Sequence, residues 1–197
     1  NMLSVFRVFA RIGFGLSRPK RQILGNTFAG VVETVGSDVK KLRAGEPVFG
    51  YTGENMGAYA EYLCIPEDGI IAPKPSYMTY EEASAVPYGA TMALCLLKKV
   101  NIQKGQRVLV IGASGAIGSA AVQLASHYYG AEVTGVCSTQ GLDYVKSLGA
   151  LRVIDYKKED FTKNGESYDL IIDVLGRGSF AKYRASLKPN GIYLPVS

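Results

Sequence analysis

Gly112-Ala113-Ser114-Gly115-Ala116-Ile117-Gly118 lies between a branched aliphatic run, Val108-Leu109-Val110-Ile111, and a stretch with helical spacing, Ile117, Ala121, Leu124 and Tyr128. The order is strand, small-residue turn, helix. Small residues let backbone N–H groups approach a diphosphate, and the opening turn of a helix favours its negative charge. A glycine inside the first helical turn also permits close contact between helix and strand. The fingerprint here is Ala113-x-Gly115-x-x-Gly118, a variant with alanine in the first place. The competing reading is a tight turn that serves packing alone.

The chain beyond the turn favours the ligand-binding reading. Residues 132–137 are strand-like, and Leu142, Val145 and Leu148 form a helical stripe stopped by Gly149. Residues 152–155 are a third strand and residues 157–167 a polar link. Residues 168–174 are a fourth strand, 180–187 a helix stopped by Lys188-Pro189-Asn190-Gly191, and 192–196 a fifth strand. Five short buried-type strands alternating with helices predict an α/β fold, a doubly wound parallel sheet.

Upstream, the pattern changes. Residues 30–36 read as a strand bounded by glycines, 39–48 as a turn-rich link, and 58–65 as a β segment. Pro66-Glu67-Asp68-Gly69 is turn chemistry. Thr79 and Glu82 fit a capping box, Pro87 predicts a helix break, and residues 89–98 read as a second helix. The expected organisation is a small, mainly β domain over residues 1–88 and an α/β domain over residues 89–197 that includes the linking helix.

Rival chemistries fail on particular residues. A P-loop needs Lys and Ser or Thr after its last glycine, but Ser119-Ala120 come after Gly118. A nucleophile elbow would need glycine at Ala116 and a late histidine. The one histidine, His127, stands on the helix after the turn and reads as a surface residue. Cys64, Cys95 and Cys137 show no CxxC or Cys/His spacing, so no disulfide framework or zinc site is indicated. They read as small core residues in a reducing, cytoplasmic compartment.

The 197 residues carry 22 Lys+Arg and 17 Asp+Glu, a formal charge of +5. The excess sits in residues 1–24, which hold Arg7, Arg11, Arg18, Lys20 and Arg21 and no acid. No other stripe of basic residues exists, so nucleic acid is not indicated. Residues 108–131 lack Asp, Glu, Lys and Arg, but their glycines, serines and change of periodicity argue against a membrane span. No signal peptide is visible in the opening residues.

The end of the second strand selects the nucleotide. An NAD site commonly places Asp or Glu about twenty residues beyond the glycines, to bind the ribose hydroxyls. Ser138, Thr139 and Gln140 stand there instead. Small hydroxyl residues leave room and donors for a 2′-phosphate that a carboxylate would repel. The expectation is NADP(H), with Lys146 or Lys157 as candidate added charges.

Residues 112–125 (GASGAIGSAAVQLA) resemble the cofactor loop of the medium-chain dehydrogenase/reductase superfamily, in its zinc-independent, quinone-oxidoreductase-like (zeta-crystallin-like) branch. Residues 24–36 (LGNTFAGVVETVG), 57–62 (GAYAEY), 83–91 (ASAVPYGAT), 147–150 (SLGA) and 168–176 (YDLIIDVLG) lie along the chain in the family's order. The resemblance implies a GroES-like β domain joined to a Rossmann domain. Family chains begin before Asn1 and continue past Ser197, so the resemblance implies truncation at both ends and a partial GroES-like domain. It is compatible with a homodimer of the full-length protein. Zinc-using members carry a histidine within residues 24–30 and a four-cysteine lobe. Asn26 and the missing lobe imply no metal.

By motif position, the resemblance puts Ser114, Gly115, Ala116, Ile117 and Gly118 along the pyrophosphate and Ser138 and Thr139 at the 2′-phosphate. Tyr156 falls near the adenine ribose, Val174, Leu175 and Gly176 beside the nicotinamide ribose, and Thr91 near the nicotinamide. Asn26 and Tyr51 are the substrate-side polar residues, with Tyr51 and Thr91 the catalytic candidates. Tyr51 has the chemistry to donate to a carbonyl oxygen. Packing is the competing role for each of these residues. Phe6, Phe9 and Phe14 read as packing, with lining of the cleft mouth as the alternative. The implied activity is hydride transfer from NADPH to a quinone or α,β-unsaturated carbonyl, small-molecule substrates that spread negative charge themselves. A non-catalytic NADPH-binding protein, structural or regulatory, and an NADP-dependent alcohol or aldehyde reductase are the alternatives.

Overall fold

The structure, a computed structural model, describes residues 22–176 and 178–196. The five basic residues of the opening segment, with Phe6, Phe9 and Phe14, lie outside the described residues. The chain divides into two compact units between Pro87 and Tyr88.

The first unit carries an antiparallel sheet of β1 (Thr27–Val31), β2 (Pro47–Tyr51) and β3 (Ile70–Pro73), in that order. The strand expected at residues 30–36 starts and ends earlier. Val31 pairs with Pro47, which opens β2 and has no N–H to extend the ladder. Beyond it, single bonds from Val32 N to Glu46 O and from Gly45 N to Val32 O close a turn. Residues 58–65 are not a strand: Ala58 N and Tyr59 N bond the carbonyls of Gly25 and Leu24, and no ladder forms beyond them. Gly50 has no room for a side chain, because a Cβ there would press into the Phe28 ring and the Ile70 carbonyl.

The capping box is reciprocal. Thr79 N donates to Glu82 Oε2 at 2.9 Å, and Glu82 N donates to Thr79 Oγ1 at 3.2 Å. It opens α1 (Tyr80–Lys98), one unbroken helix that runs through Pro87. The expected break is absent. Proline at this place removes a single N–H, and buried Ala83, Pro87, Ala93 and Leu97 hold the helix together from both ends.

The second unit is the parallel doubly wound sheet. Its strands are β4 (Arg107–Ile111), β5 (Glu132–Cys137), β6 (Arg152–Asp155), β7 (Tyr168–Asp173) and β8 (Leu187–Pro195), in the order β6-β5-β4-β7-β8. All four pairings are parallel. β4 is buried on both faces, as its unalternated sequence requires. Val108 and Val110 enter one apolar cluster with Val122, Val133, Val145 and Ile172, while Leu109 and Ile111 enter another with Ile154 and Ile171. The first cluster is covered by α1, α2 (Ala116–Gln123, continued by a wider turn over Leu124–Tyr128) and α3 (Leu142–Ser147). The second is closed by Phe161 and by Tyr183 of α4 (Phe180–Tyr183).

β8 begins earlier than expected. Lys188-Pro189-Asn190-Gly191 does not precede the strand but bulges within it: β8 advances from Leu187 to Ile192 while β7 advances from Tyr168 to Leu170. Asn190 at φ 64° supplies the bend. The cysteine expectation holds for Cys137 alone. Cys64 and Cys95 are exposed, the first in the irregular 58–65 segment and the second on the face of α1 away from Ala93 and Leu97. Among the described residues no helix is long and apolar enough to cross a membrane.

Candidate functional site

The chain steps from β4 through β5 to β6 and then crosses back to place β7 on the other side of β4. Ligands of such sheets bind where the order reverses, at the carboxyl ends of the strands. The small-residue turn stands at that point.

Its shape comes from three glycines. Gly112 takes φ +82°, which redirects the chain out of β4. Gly112 N and Ala113 N both donate to Val136 O at 3.0 Å, tying the turn to β5. Gly115 is the N-cap residue of α2, and the first helical bond runs from Ser119 N to Gly115 O at 2.8 Å. No side chain caps this helix. Gly118 lies against the turn: a Cβ there would sit 2.8 Å from the Gly112 carbonyl carbon and 2.9 Å from Ala113 Cα. Ser114, Gly115 and Ala116 are exposed, and Ile117 and Gly118 are buried. The result is an uncapped helix start whose opening faces solvent through small residues only. Such a cradle fits a diphosphate.

Other expected residues gather at the same edge. The turn after β5 approaches Ser114, since a Cβ on Gly141 would lie 3.0 Å from Ser114 Cβ. This brings half-buried Ser138 and exposed Thr139 beside the glycine turn. Tyr156, directly after β6, is exposed and bonds its N–H to Cys137 O at 3.2 Å. Val174 N donates to Ile111 O at 3.1 Å, and the Leu175 side chain touches the Cβ position of Gly112. Thr91 is half-buried on α1, half a turn beyond Gly89, which has no room for a Cβ against the Ala116 backbone.

Asn26 and Tyr51 belong to the first unit. Tyr51 pairs with Thr27 across β1 and β2, and Asn26 O accepts from Thr52 N at 2.8 Å, so both stand at one end of that ladder. Tyr51 also lines a cleft of about 260 Å³ with Thr52, Met56, Leu63 and Ile70. His127 is exposed and its ring Nε2 bonds Leu148 O at 3.1 Å, a link between α2's extension and the end of α3. Among the described residues no group of three or more His, Cys, Asp or Glu is placed to hold a metal.

Two buried carboxylates at this edge escaped the sequence reading, Asp155 and Asp173. Each is the last residue of its strand, directly after two branched aliphatic residues, Val153-Ile154 and Ile171-Ile172, and that position is the signal that could have found them. Asp155 is buried and accepts from Thr139 Oγ1 at 2.6 Å and from Lys157 N at 3.0 Å. The Thr139 hydroxyl, then the Lys157 amide, hold its carboxyl below the usual carboxylate range. The Thr139 hydroxyl is thus a donor to Asp155, and Ser138 carries the hydroxyl without that commitment. Burial, then the Asp155 charge, pushes the neighbouring Cys137 thiol up.

A depressed folded-state pKa contributes stability that is complete above the unfolded carboxyl value and is lost as pH falls through the folded one. Asp155→Asn is therefore expected to destabilise the protein at pH 7 and to match the parent in strong acid. Denaturant midpoints of both proteins followed from neutral pH down through the acid range check this; a gap that does not narrow as pH falls would refute it.

Comparisons with known proteins agree with this fold. The alcohol dehydrogenase GroES-like domain pattern matches residues 6–76, and the zinc-binding dehydrogenase pattern matches residues 116–196. The chain is 37% identical over 171 residues to 2-methylene-furan-3-one reductase of Solanum lycopersicum, covering 83% of this chain and 44% of that protein. It is 35% identical over 166 residues to the chloroplastic NADPH-dependent alkenal/one oxidoreductase of Arabidopsis thaliana, covering 80% and 43%. Among solved structures, the quinone oxidoreductase from Coxiella burnetii superposes with a TM-score of 0.78 at 31% identity, over 86% of this chain and 54% of that one. The CurK enoyl reductase superposes with 0.82 at 25% identity, over 98% and 59%. The chain thus spans under half the length of the curated relatives it matches.

Proposed function

The chain belongs to the medium-chain dehydrogenase/reductase superfamily, and from that premise we propose that it serves an NADP(H)-dependent oxidoreductase that reduces quinones or α,β-unsaturated carbonyls without zinc. The observation that carries this reading is the uncapped start of α2, packed through Gly118 onto the β4 turn at the point where the strand order reverses.

The residues divide the work by position along the nucleotide. The amides opening α2, between Ser114 and Gly118, hold the diphosphate in the field of the helix. The Ser138 hydroxyl donates to the 2′-phosphate. Thr139 acts there by fixing the β5 turn on Asp155, and exposed Tyr156 covers the adenosine. Lys157 and Lys158 place positive charge close enough to lower the Asp155 pKa, which favours an anion at this corner. Val174, Leu175, Gly176 and Thr91 border the nicotinamide end. Bound NADPH supplies the hydride. Tyr51 donates to the acceptor's oxygen with Asn26 beside it, which orients the acceptor and stabilises its developing charge. Asn26, where zinc-using relatives have histidine, supports the metal-free assignment. The reading extends to a reducing compartment.

Titration with NADPH and NADH tests the nucleotide, with turnover of a series of quinones and enones as the second measurement. NADPH is expected to bind at least about tenfold tighter, because a 2′-phosphate gains charge-assisted hydrogen bonds. Tyr51→Phe is expected to slow turnover without changing NADPH affinity. Tighter binding of NADH rejects the nucleotide assignment. Binding of NADPH with no turnover of any acceptor by the parent chain decides for a non-catalytic nucleotide-binding role.

A further inference from the structure

Asp173 ends β7 at the reversal point, fully buried, and hydride transfer has no use for its carboxylate. Its oxygens are nonetheless all employed. Oδ1 accepts from Leu175 N and Gly176 N, both at 3.1 Å. Oδ2 accepts from Gly178 N at 2.9 Å and from the Tyr193 hydroxyl at 3.2 Å. Three backbone amides of one loop thus converge on a single side chain, and the fourth donor comes from the adjacent strand β8.

We propose that Asp173 and Tyr193 form a positioning pair that holds Leu175, Gly176 and Gly178 as the wall of the crevice facing the nicotinamide half of the nucleotide. The proposal rests on the NADP(H) reading and adds residues to it. A loop leaving a strand has amides without ladder partners. Left to water, Leu175, Gly176 and Gly178 would sample many conformations, and binding would bear the cost of ordering them. The carboxylate satisfies these amides in advance, and charge-assisted bonds of this kind are the stronger sort.

The far end of the loop has a floor. Gly178 lies so close to the Tyr183 ring that no side chain fits there. Tyr183 packs against Phe161 and Tyr193, with ring centroids 5.4 and 5.5 Å away. Burial, then the Asp173 charge, pushes the Tyr193 phenol up, so it remains a hydrogen-bond donor at neutral pH. The same causes push Tyr183 up to about 12. The near end is fixed by Val174 N on Ile111 O and by Leu175 against Gly112. The loop is pinned at both ends and tied in the middle, and the tie is Asp173.

A wall and a purely structural brace differ in what they do to two ligands. NADPH reaches the wall at Leu175 and Gly176; adenosine 2′,5′-bisphosphate, which lacks the nicotinamide half, does not. Asp173→Asn keeps the shape but turns an N–H donor toward Gly178 N. It is expected to weaken NADPH about tenfold, the effect of losing one strong hydrogen bond, and to change bisphosphate affinity less than about twofold. Tyr193→Phe keeps all three amide bonds and is expected to weaken NADPH about threefold, again sparing the bisphosphate. This second, milder variant serves if Asp173→Asn does not fold. Equal losses for both ligands, or no loss for NADPH in either variant, overturn the proposal. A parent chain that binds neither ligand overturns the NADP(H) reading and this one with it.

Discussion

Replacing Gly118 by alanine is expected to weaken NADPH binding about tenfold or more, and replacing it by valine to abolish binding. Alanine is the better helix former by about 1 kcal/mol, so propensity alone predicts a gain in stability. The contact decides otherwise. A Cβ at this position lies 2.8 Å from the Gly112 carbonyl carbon and nearer still to its oxygen. The obstacle is backbone that is itself bonded to β5, so no side chain can swing aside to make room. Overpacking of this kind costs about 1–3 kcal/mol, which outweighs the propensity gain. The start of α2 must retreat, and its amides retreat with it. Thermal unfolding and NADPH titration of the two variants check this. Unchanged affinity in Gly118→Val would show that the close approach plays no part in binding.

Leu109→Ala provides the contrast. Leu109 sits on central strand β4, fully buried, in the cluster with Ile154, Phe161, Ile171 and Tyr183. Truncation deletes buried methyl groups and leaves a cavity that a parallel sheet closes poorly, at a cost of about 3 kcal/mol. The melting temperature is expected to fall by several degrees or more. The side chain lies on the sheet face opposite Val108, Val110 and α2. Affinity per folded molecule is therefore expected to stay within about twofold, as for independent sites. Losses of affinity as large as those in Gly118→Ala would show that stability alone governs both measurements.

The two variants also mark how far the sequence could be read. The strands around Leu109 were legible because residues buried on both faces leave an unbroken aliphatic run, and β5 and β6 appear at their expected bounds. The turn at Gly112–Gly118 was legible because backbone approach demands small residues at fixed offsets. Pro87 misled, since propensity speaks for an isolated helix while the burial of Ala83 and Leu97 speaks for the folded one. Residues 58–65 misled because alternation describes one strand, whereas a strand exists only with a partner. Asp155 and Asp173 were passed over for another reason. A single carboxylate at a strand end reads as solvent-facing, and its burial depends on amides several residues on, or on a hydroxyl from a neighbouring strand's turn.

The shared acceptor Val136 O has a thermodynamic consequence. Two successive amides bound to one carbonyl of β5 make the anchor between β4 and α2 part of the sheet. Its conformational entropy is surrendered once, when the protein folds, and no share of it falls due when an anion arrives. The crevice therefore meets its guest as a finished mould, and affinity there reflects contacts made rather than order imposed.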